Sequence, residues 1–266
     1  MQKLGYLGPE GTYSHLAALS LGAGCSIVAY PSFPSLISAL KQWELDRIVL
    51  PVENTLNGAV VQNLDLLQST DDIWACNSIK IRVDHRLITL KGADLSGIKT
   101  IYSHEQALAQ CANYLYTHFP QAKLIATAST AESINHLTGA DVAAIAGSQC
   151  ADERFELSSN TISDEPNNFT SFLLVVRGTP QITQKSSKIF FSATVLHEAG
   201  ALYKLLSVLA EADINLTKIE SRPIKDREGE FRFFIEFDGD YSDPKMQETL
   251  KALRRKSTSL KILGCY

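Results

Sequence analysis

Hydroxyl and amide side chains gather where two predicted strands begin or end. Thr170 and Ser171 stand at the mouth of the apolar run 172–176, whose composition is typical of a buried strand. The segment 50–60 ends a second apolar strand and places Asn54 directly after it. Polar side chains at the carboxyl ends of strands in an α/β sheet can bind a small ligand. Strand initiation is the simpler explanation for Thr170, because threonine suits strands and its hydroxyl satisfies loose backbone groups.

Three glycine- or hydroxyl-rich turns each lead into a predicted helix. The turn 8–15, GPEGTYSH, offers backbone N–H groups near Gly11, the hydroxyl of Thr12 and a helix dipole, which together could hold a carboxylate. Two later turns repeat this geometry with Ser103, His104, Ser129 and Thr130. Ordinary helix capping accounts for each turn taken singly. Together with the polar end of segment 50–60, they could also converge on one cleft that suits a ligand with more than one carboxylate.

Composition excludes several classes of protein. The chain of 266 residues has a formal net charge of −4, with 45% hydrophobic and 20% charged residues, which argues against a general nucleic-acid or membrane-surface binder. The first residues lack the apolar core of a signal peptide, and no apolar stretch approaches the length of a membrane span. The cysteines and histidines show no disulfide or metal-binding spacing. We therefore expect a cytoplasmic protein without a metal site, and without nucleic-acid or membrane partners.

The order of elements predicts an α/β fold with two lobes. Strands and helices alternate through the first block of the chain, which ends with a helix predicted over 58–69, and again in a second block, whose helices are predicted over 105–119 and 129–138. This alternation predicts mostly parallel sheets. Between the blocks, apolar and charged residues alternate in 77–90, and this pattern predicts one long crossing strand. The strand at Thr170 would be the return crossing. We expect lobe 1 to comprise about 1–78 and 165–178, lobe 2 about 79–164, and Thr170 to lie at the hinge, where a cleft favours ligand binding.

A second domain follows a polar linker at 179–187. Over 188–266 the pattern is strand, helix, strand, turn, strand, helix and strand, with the turn at 225–230. This βαββαβ order is that of a ferredoxin-like domain. Its first helix, 200–212, has leucines on one face and charged residues away from it, as expected of a helix that covers a sheet.

Seven segments, in order and at matching spacing, resemble prephenate dehydratase of the bacterial type that carries a C-terminal ACT regulatory domain. They are GYLGPEGTYSHLAA, PVENTLNGAV, YSHEQAL, STAES, GALYKLL, ESRP and ILGCY. The resemblance covers nearly the whole chain and implies a periplasmic-binding-protein-like catalytic domain over 1–178 and an ACT domain over 188–266. It implies that prephenate loses its ring carboxylate as carbon dioxide and its ring hydroxyl, giving phenylpyruvate on the route to phenylalanine. Aromatisation drives this reaction, so the resemblance implies no cofactor.

The resemblance also assigns roles to individual residues. It implies that Thr170 protonates the leaving hydroxyl and that Asn54 and Glu53 complete the catalytic group. Substrate would be bound by Gly11, Thr12, Thr55, Ser103, His104, Ser129, Thr130, Asn168 and Phe172. Phenylalanine would bind between the ACT domains of two subunits and inhibit the enzyme, touching Gly200, Ala201, Leu202, Glu220, Ser221, Arg222 and Pro223. Such a site requires at least a dimer, so we expect a homodimer or homotetramer.

One position departs from the family pattern. The family motif Thr-Arg-Phe reads Thr170-Ser171-Phe172 here, so serine replaces the arginine that anchors the substrate. The candidates to take over its charge are Arg82, Arg86 and Arg177. The departure leaves two alternatives to a dehydratase: a prephenate decarboxylase that forms a non-aromatic product, and a catalytically silent ligand sensor.

Overall fold

The computed structural model describes residues 1–224 and 229–266, so most of the turn predicted at 225–230 lies outside the described residues. The strands are β1 (Lys3–Leu7), β2 (Ser26–Tyr30), β3 (Arg47–Asn54), β4 (Gly58–Ala59), β5 (Ile73–Arg82), β6 (His85–Leu90), β7 (Thr100–His104), β8 (Lys123–Thr127), β9 (Val142–Gly147), β10 (Phe155–Leu157), β11 (Phe169–Arg177), β12 (Lys188–Thr194), β13 (Leu216–Pro223), β14 (Phe231–Asp238) and β15 (Ser259–Cys265). The α-helices are α1 (Tyr13–Leu21), α2 (Phe33–Lys41), α3 (Val61–Ser69), α4 (Glu105–Gln110), α5 (Ala112–His118), α6 (Ala201–Glu211) and α7 (Pro244–Arg255). Short 3-10 helices lie at Leu95–Gly97, Glu132–His136 and Ser148–Cys150.

This order of strands and helices confirms the predicted α/β class. Within the described ranges, no helix combines the length and the apolar character needed to cross a membrane.

The chain forms two compact units. The first comprises Met1–Leu36, Glu53–Gly58 and Ile79–Phe172, and the second comprises Ile37–Val52, Ala59–Ser78 and Leu173–Tyr266. Strands β3, β5 and β11 each contain residues of both units, so the chain passes from one unit to the other within a strand. The two lobes expected from the sequence were inferred from the order of its predicted strands and helices, and their boundaries stay a prediction.

The first unit contains two groups of strands. β1 and β2 pair in parallel, and α1 packs against both of them. A five-stranded sheet has the order β10-β6-β9-β7-β8, in which β7 runs parallel to β8 and β9 while β6 runs antiparallel to β9 and β10. Ile101 and Ile145 on its central strands are fully buried in a core that includes Leu115 of α5. Buried residues of β9 lie in two apolar clusters, Ala143 and Ile145 in one and Ala144 and Ala146 in the other, which is why this strand is apolar along its length.

The single strand predicted over 77–90 is two strands, β5 and β6, so that prediction was wrong. The two are interrupted at Val83 and Asp84. The hydroxyl of Tyr13 accepts a hydrogen bond from Asp84 N at 2.9 Å and donates one to Asp84 O at 3.0 Å. Since a side chain occupies both backbone groups of Asp84, the strand ladder cannot continue through this residue.

Two helices begin or end differently from the prediction. The helix predicted over 105–119 is divided at Cys111 into α4 and α5, because Cys111 has the non-helical angles φ −118° and ψ 16°. The helix predicted to open at Gly58 begins instead at Val61. Gly58 has a φ of +74° and belongs to β4, and a left-handed conformation does not start a right-handed helix.

The helix predicted over 129–138 shortens to the 3-10 helix Glu132–His136. The Ser133 hydroxyl donates to Thr130 O at 2.6 Å, and such side-chain bonds compete with the regular helical pattern. The long hydroxyl-rich run therefore forms a turn followed by a single short helix.

The second unit contains one sheet with the order β13-β14-β12-β15-β5-β11-β3. Its strands β12 to β15, with α6 and α7, have the predicted βαββαβ order. Both helices cover the same face, and the core beneath them contains Phe191, Phe237, Leu205 and Leu250. This burial accounts for the one-sided leucines of α6.

Gly264 joins the C-terminal strands to the rest of that sheet. β15 pairs in parallel with β5 at Gly264 and Ala75. A Cβ added at Gly264 would lie 2.8 Å from the Cβ and 3.0 Å from the backbone oxygen of Ala75. Only glycine therefore lets the two strands approach this closely.

Candidate active site

The Asn54 side chain, at the end of β3, organises the polar cluster at the start of β11. Its Oδ1 accepts hydrogen bonds from the backbone N–H groups of Leu56 and Asn57, both at 3.1 Å. Its Nδ2 donates to Asn168 Oδ1 at 2.7 Å and to Thr170 Oγ1 at 3.0 Å. A backbone N–H can only donate, so these bonds fix which end of the Asn54 amide is the oxygen.

This orientation determines what the Thr170 hydroxyl can do. Thr170 Oγ1 accepts from Asn54, and the threonine is only partly buried. A hydroxyl has one proton to donate in addition to its acceptor lone pairs. Because Asn54 uses a lone pair and not the proton, the Thr170 hydroxyl can still donate its proton to another acceptor, such as a bound ligand.

The network continues from Asn168 to two further side chains of the first unit. Asn168 is 1% exposed, and its Nδ2 donates to Gln110 Oε1 at 3.3 Å. Gln110 Oε1 also lies 2.9 Å from His85 Nε2. We call Asn54, Asn168, Gln110 and His85 the amide relay, since three amides and one imidazole connect in series to Thr170. Sequence reasoning missed Gln110 and His85, because Gln110 lies in an amphipathic helical run and His85 in an apolar strand, with no local signal in either.

The pKa of His85 is lowered, chiefly by burial. Its hydrogen bond with Gln110 and the nearby Asp84 charge raise that pKa in part. The ring is therefore neutral at pH 7, which leaves one of its nitrogens as a donor and the other as an acceptor.

Thr55 joins the ends of β3 and β11. Thr55 N and Thr55 Oγ1 donate to Phe169 O at 2.9 and 3.1 Å. Phe169 N in turn lies 3.2 Å from Thr55 Oγ1. These bonds place the start of β11 beside Asn54.

Several polar groups of the Gly11 turn already form hydrogen bonds with other groups of the protein. Thr12 Oγ1 accepts from His15 N at 3.2 Å and so caps α1, while Gly11 N donates to His15 Nδ1 at 3.2 Å. Gly11 O accepts from Gln149 Nε2 at 3.1 Å and from Cys150 Sγ at 3.1 Å. A cavity of about 620 Å³ opens beside this turn.

The other residues predicted for the site lie in caps or in the core. Ser103 is fully buried, and its hydroxyl donates to Ile145 O at 2.6 Å. His104 caps α4 through Gln106 N, and Ser129 Oγ accepts from Glu132 N. The structure therefore brings Asn54, Thr55, Asn168 and Thr170 together. Three predicted residues remain outside that cluster. The backbone oxygen of Thr130 accepts a hydrogen bond from the Ser133 hydroxyl. Glu53 is partly buried, and Phe172 is 1% exposed.

Two of the three arginines that could replace the missing family arginine already form hydrogen bonds with backbone oxygens. Arg86 pairs with Asp84 at 2.7 Å and donates to Ser158 O and Ser159 O. Arg177 donates to Leu40 O and Leu45 O and lies 3.8 Å from the Trp43 ring centroid. Arg82 is exposed. Arg86 and Arg177 therefore hold the fold, and Arg82 alone of the three has an exposed side chain.

A smaller pocket lies in the C-terminal domain. It has a volume of about 140 Å³, and Ala201 and Leu202 of α6 line it together with Val195, Leu196, His197, Glu198, Gly229, Glu230, Phe231 and Phe233. Gly200 precedes the helix with a φ of +80°. The predicted segment Glu220–Pro223 lies on β13, where Ser221 pairs with Phe233 of β14.

Comparison with known proteins identifies the class of this fold and site. The prephenate dehydratase family model matches residues 4–180, and the ACT domain model matches residues 192–255. The bifunctional chorismate mutase/prephenate dehydratase of Neisseria gonorrhoeae is 35% identical over 99% of this chain and 74% of its own length. The prephenate dehydratase of Amycolatopsis methanolica is 31% identical over 100% of this chain and 88% of its own length.

A solved structure agrees with these matches. The crystal structure of prephenate dehydratase from Arthrobacter aurescens in complex with L-Phe superposes with a TM-score of 0.86 and 27% identity, over 99% of this chain and 89% of that one. The chain belongs to the prephenate dehydratase family, with an ACT domain at its C-terminus. It is thus a lyase that dehydrates prephenate in phenylalanine biosynthesis, and the decarboxylase and sensor alternatives are not favoured.

Proposed function

We propose that Thr170 donates the proton taken by the leaving hydroxyl of prephenate. The observation that supports this role is the hydrogen bond that the Asn54 amide donates to Thr170 Oγ1 at 3.0 Å. Thr170 is the acceptor in this bond, so its own proton is not used there. The C–C bond to the ring carboxylate breaks and releases carbon dioxide, its electron pair moves through the ring, and the C–O bond to the hydroxyl breaks. The departing hydroxide takes the Thr170 proton and leaves as water, and solvent returns a proton to Thr170. The Asn54 N–H stabilises the charge that develops on Oγ1.

The neighbouring side chains have supporting roles in this proposal. Thr55 and Asn168 hold Asn54 and the start of β11 in register, and one substrate carboxylate lies near the Gly11 turn and Thr12, beside the cavity described above. Ser103 bonds β9 through Ile145 O and supports the site from behind. The residues proposed to surround the substrate are Glu53, His104, Ser129, Thr130 and Phe172.

Product analysis tests the reaction itself. Purified protein incubated with prephenate should release phenylpyruvate and carbon dioxide in equal amounts. A non-aromatic decarboxylated product would instead assign the chain to the decarboxylases. Binding of prephenate without any product would favour the ligand sensor.

We propose that phenylalanine binds the C-terminal domain and inhibits the enzyme. The support is the small pocket at Ala201 and Leu202, together with the L-Phe bound to the structure from Arthrobacter aurescens. In this proposal Gly200 and the segment Glu220–Pro223 complete the site. An effector shifts activity only through different affinities for two states. Ala201→Glu should therefore remove the inhibition, so that the rates measured without and with phenylalanine become equal. If the variant is inhibited as strongly as the wild type, phenylalanine binds elsewhere.

We propose a homodimer or homotetramer. β13 is the last strand of its sheet, and Ile219 on it is 42% exposed, so an edge with an apolar side chain is open to pairing. Sedimentation with and without phenylalanine tests this assembly, and a monomer under both conditions would contradict it.

The domain boundaries belong to the same proposal. We assign 1–178 to the catalytic domain, 179–187 to a linker and 188–266 to the ACT domain, because residues 178–187, all of them described, contain neither helix nor strand. We also propose a cytoplasmic location, supported by five cysteines that are all free thiols.

A further inference from the structure

His85 lies at the far end of the amide relay from Thr170. We propose that His85 is a positioning residue for the dehydration: its Nε2–H holds Gln110, and through Gln110 and Asn168 it keeps the Asn54 amide directed at Thr170. The inference rests on the proposed role of Thr170 as proton donor. It adds a residue that touches neither substrate nor Thr170.

The direction of every bond in the relay follows from its first member. The backbone N–H groups of Leu56 and Asn57 identify Asn54 Oδ1, so Asn54 Nδ2 must donate to Asn168 Oδ1. Asn168 Nδ2 then faces Gln110, whose contact atom must be the oxygen. The same Gln110 oxygen faces His85 at 2.9 Å. His85 must therefore donate from Nε2, which assigns its neutral Nε2–H tautomer.

The surroundings of His85 agree with a fixed, neutral ring. The side chain is 3% exposed, and the Tyr13 ring meets it edge-on with centroids 6.4 Å apart. Burial lowers the pKa of His85, opposed in part by the Gln110 hydrogen bond and the Asp84 charge. Among the described residues, His85 Nδ1 is buried without a hydrogen-bond partner. A second ring proton would have no acceptor there, so the ring can supply one donor and no more.

The bond from His85 is the tighter of the two that Gln110 Oε1 accepts. Without it, the 3.3 Å bond from Asn168 is the one that remains at this oxygen among the described residues, and the Gln110 amide is less restrained. Asn168, which is 1% exposed, then loses a fixed partner behind its bond to Asn54. Small displacements of a catalytic group can cost up to about 100-fold in rate. We therefore expect the loss to fall on the chemical step, because His85 does not contact the substrate.

A matched pair of variants tests this role. His85→Leu removes the donor, whereas His85→Gln places an amide N–H at about the same distance along the side chain. His85→Leu should lower kcat for prephenate by about 10- to 100-fold with KM changed less than about threefold, and His85→Gln should recover most of that loss. Equal losses in kcat for the two variants would overturn the proposal, as would a fall in melting temperature with kcat retained.

A second experiment connects the effect to Gln110. In a Gln110→Leu background, the change His85→Leu should lower kcat no further, because the relay is already broken. If the losses from the two changes multiply instead, the two residues act independently, and this would contradict the proposal.

If His85→Leu does not fold, the ¹⁵N NMR shifts of the wild-type imidazole still test the proposal. A neutral Nε2–H ring is expected, and an Nδ1–H or doubly protonated ring would overturn the proposal. Wild-type protein that forms no phenylpyruvate would refute the proposed function, whereas the tautomer measurement stands independently of turnover.

Discussion

The amide relay of the first unit and the charged cluster of the second unit hold their strands by different means. The relay reaches Thr170 through neutral amides and an imidazole. The charged cluster, which we define as Lys188, Glu236, Asp238 and Tyr266, joins β12, β14 and the C-terminus. Lys188 Nζ lies 3.0 Å from Glu236 and 3.2 Å from Asp238, and the Tyr266 hydroxyl donates to Glu236 at 2.6 Å.

The difference shows what each region requires. In the relay, each group has a single allowed direction of hydrogen bonding, and none of the four side chains carries a charge. In the charged cluster, the ion pairs and hydrogen bonds add strength, and direction matters less. The first arrangement suits proton donation, because Thr170 accepts from Asn54 and keeps its own proton to donate. The second suits a junction that holds a domain.

The largest expected effect breaks the direction of the relay. Asn54→Asp retains the oxygen that accepts from Leu56 and Asn57 but replaces Nδ2 by a second oxygen. That oxygen would accept the Thr170 proton and withdraw it from the substrate. Turnover of prephenate should fall by about 10²- to 10³-fold, within the range attributed to a positioned general acid.

Asn57→Ala is the matched control for this change. It removes only one donor to Asn54 Oδ1, at 2.8 Å on an exposed side chain, so turnover should fall less than about threefold. Steady-state rates for both variants would settle the comparison. A loss of less than tenfold for Asn54→Asp would show that bond direction at Thr170 does not matter.

The next largest effect concerns the stability of the second unit. Lys261 of β15 donates to the backbone oxygens of Leu67, Gln68 and Thr70 at 3.0, 2.9 and 2.6 Å, and its side chain is 22% exposed. Lys261→Met leaves the carbonyls at the end of α3 without this donor. We expect a loss of about 2 kcal/mol in the free energy of unfolding, measured in urea.

An exposed lysine provides the control for Lys261. Lys251 pairs with Glu248 at 2.7 Å, but the two side chains are 60% and 68% exposed. Lys251→Met should therefore change stability by less than about 0.5 kcal/mol. Equal losses for the two lysines would mean that burial of the donor has no bearing on its contribution.

A smaller effect, with a pH signature, is expected at Glu236. Burial alone would raise the pKa of Glu236, but hydrogen bonds from Thr217, Tyr266 and Lys188 outweigh it and lower that pKa. A carboxyl group with a lowered folded-state pKa contributes stability above its unfolded pKa of about 4.3, and this contribution is lost as the pH falls through the folded value. Glu236→Gln should cost about 1 kcal/mol at pH 7 and much less at acidic pH. Urea midpoints at both pH values measure this, and a pH-independent difference would refute the assignment.

An effect of similar size, without a pH signature, concerns the residue that precedes α6. Gly200 has a φ of +80°, and an added Cβ would meet no atom within 4 Å, so Gly200→Ala is opposed by backbone strain and not by a clash. We expect a loss of about 1 kcal/mol in thermal unfolding. Gly97→Ala, at an exposed glycine that likewise has open space but no positive φ, should be neutral or slightly stabilising. The reverse ranking would contradict this explanation.

Much of the fold could be predicted because the pattern of apolar residues is local. The βαββαβ order of the C-terminal domain follows from alternating strands and from a leucine face on α6 that the structure buries. The break between β5 and β6 could not be predicted in this way. It depends on the Tyr13 hydroxyl, 71 residues from Asp84 in sequence, and the strand pattern continues through the break.

The site shows the same division. Asn54, Asn168 and Thr170 stand out in the sequence because polar side chains collect at strand ends, and the structure joins them. Gln110 and His85 do not stand out, because each lies in a run that its secondary structure already explains. Their partners are 58 and 25 residues away, so only the folded chain shows the relay that connects them to Thr170.

The most direct test of proton donation by Thr170 compares Thr170→Ala with Thr170→Ser. Serine retains a hydroxyl that can accept from Asn54 and donate to the leaving group, whereas alanine retains neither. With prephenate as substrate and phenylpyruvate as the measured product, Thr170→Ser should stay within about tenfold of the wild-type kcat, and Thr170→Ala should fall by at least about 100-fold. A Thr170→Ala enzyme that retains kcat within a few-fold of wild type would contradict the account.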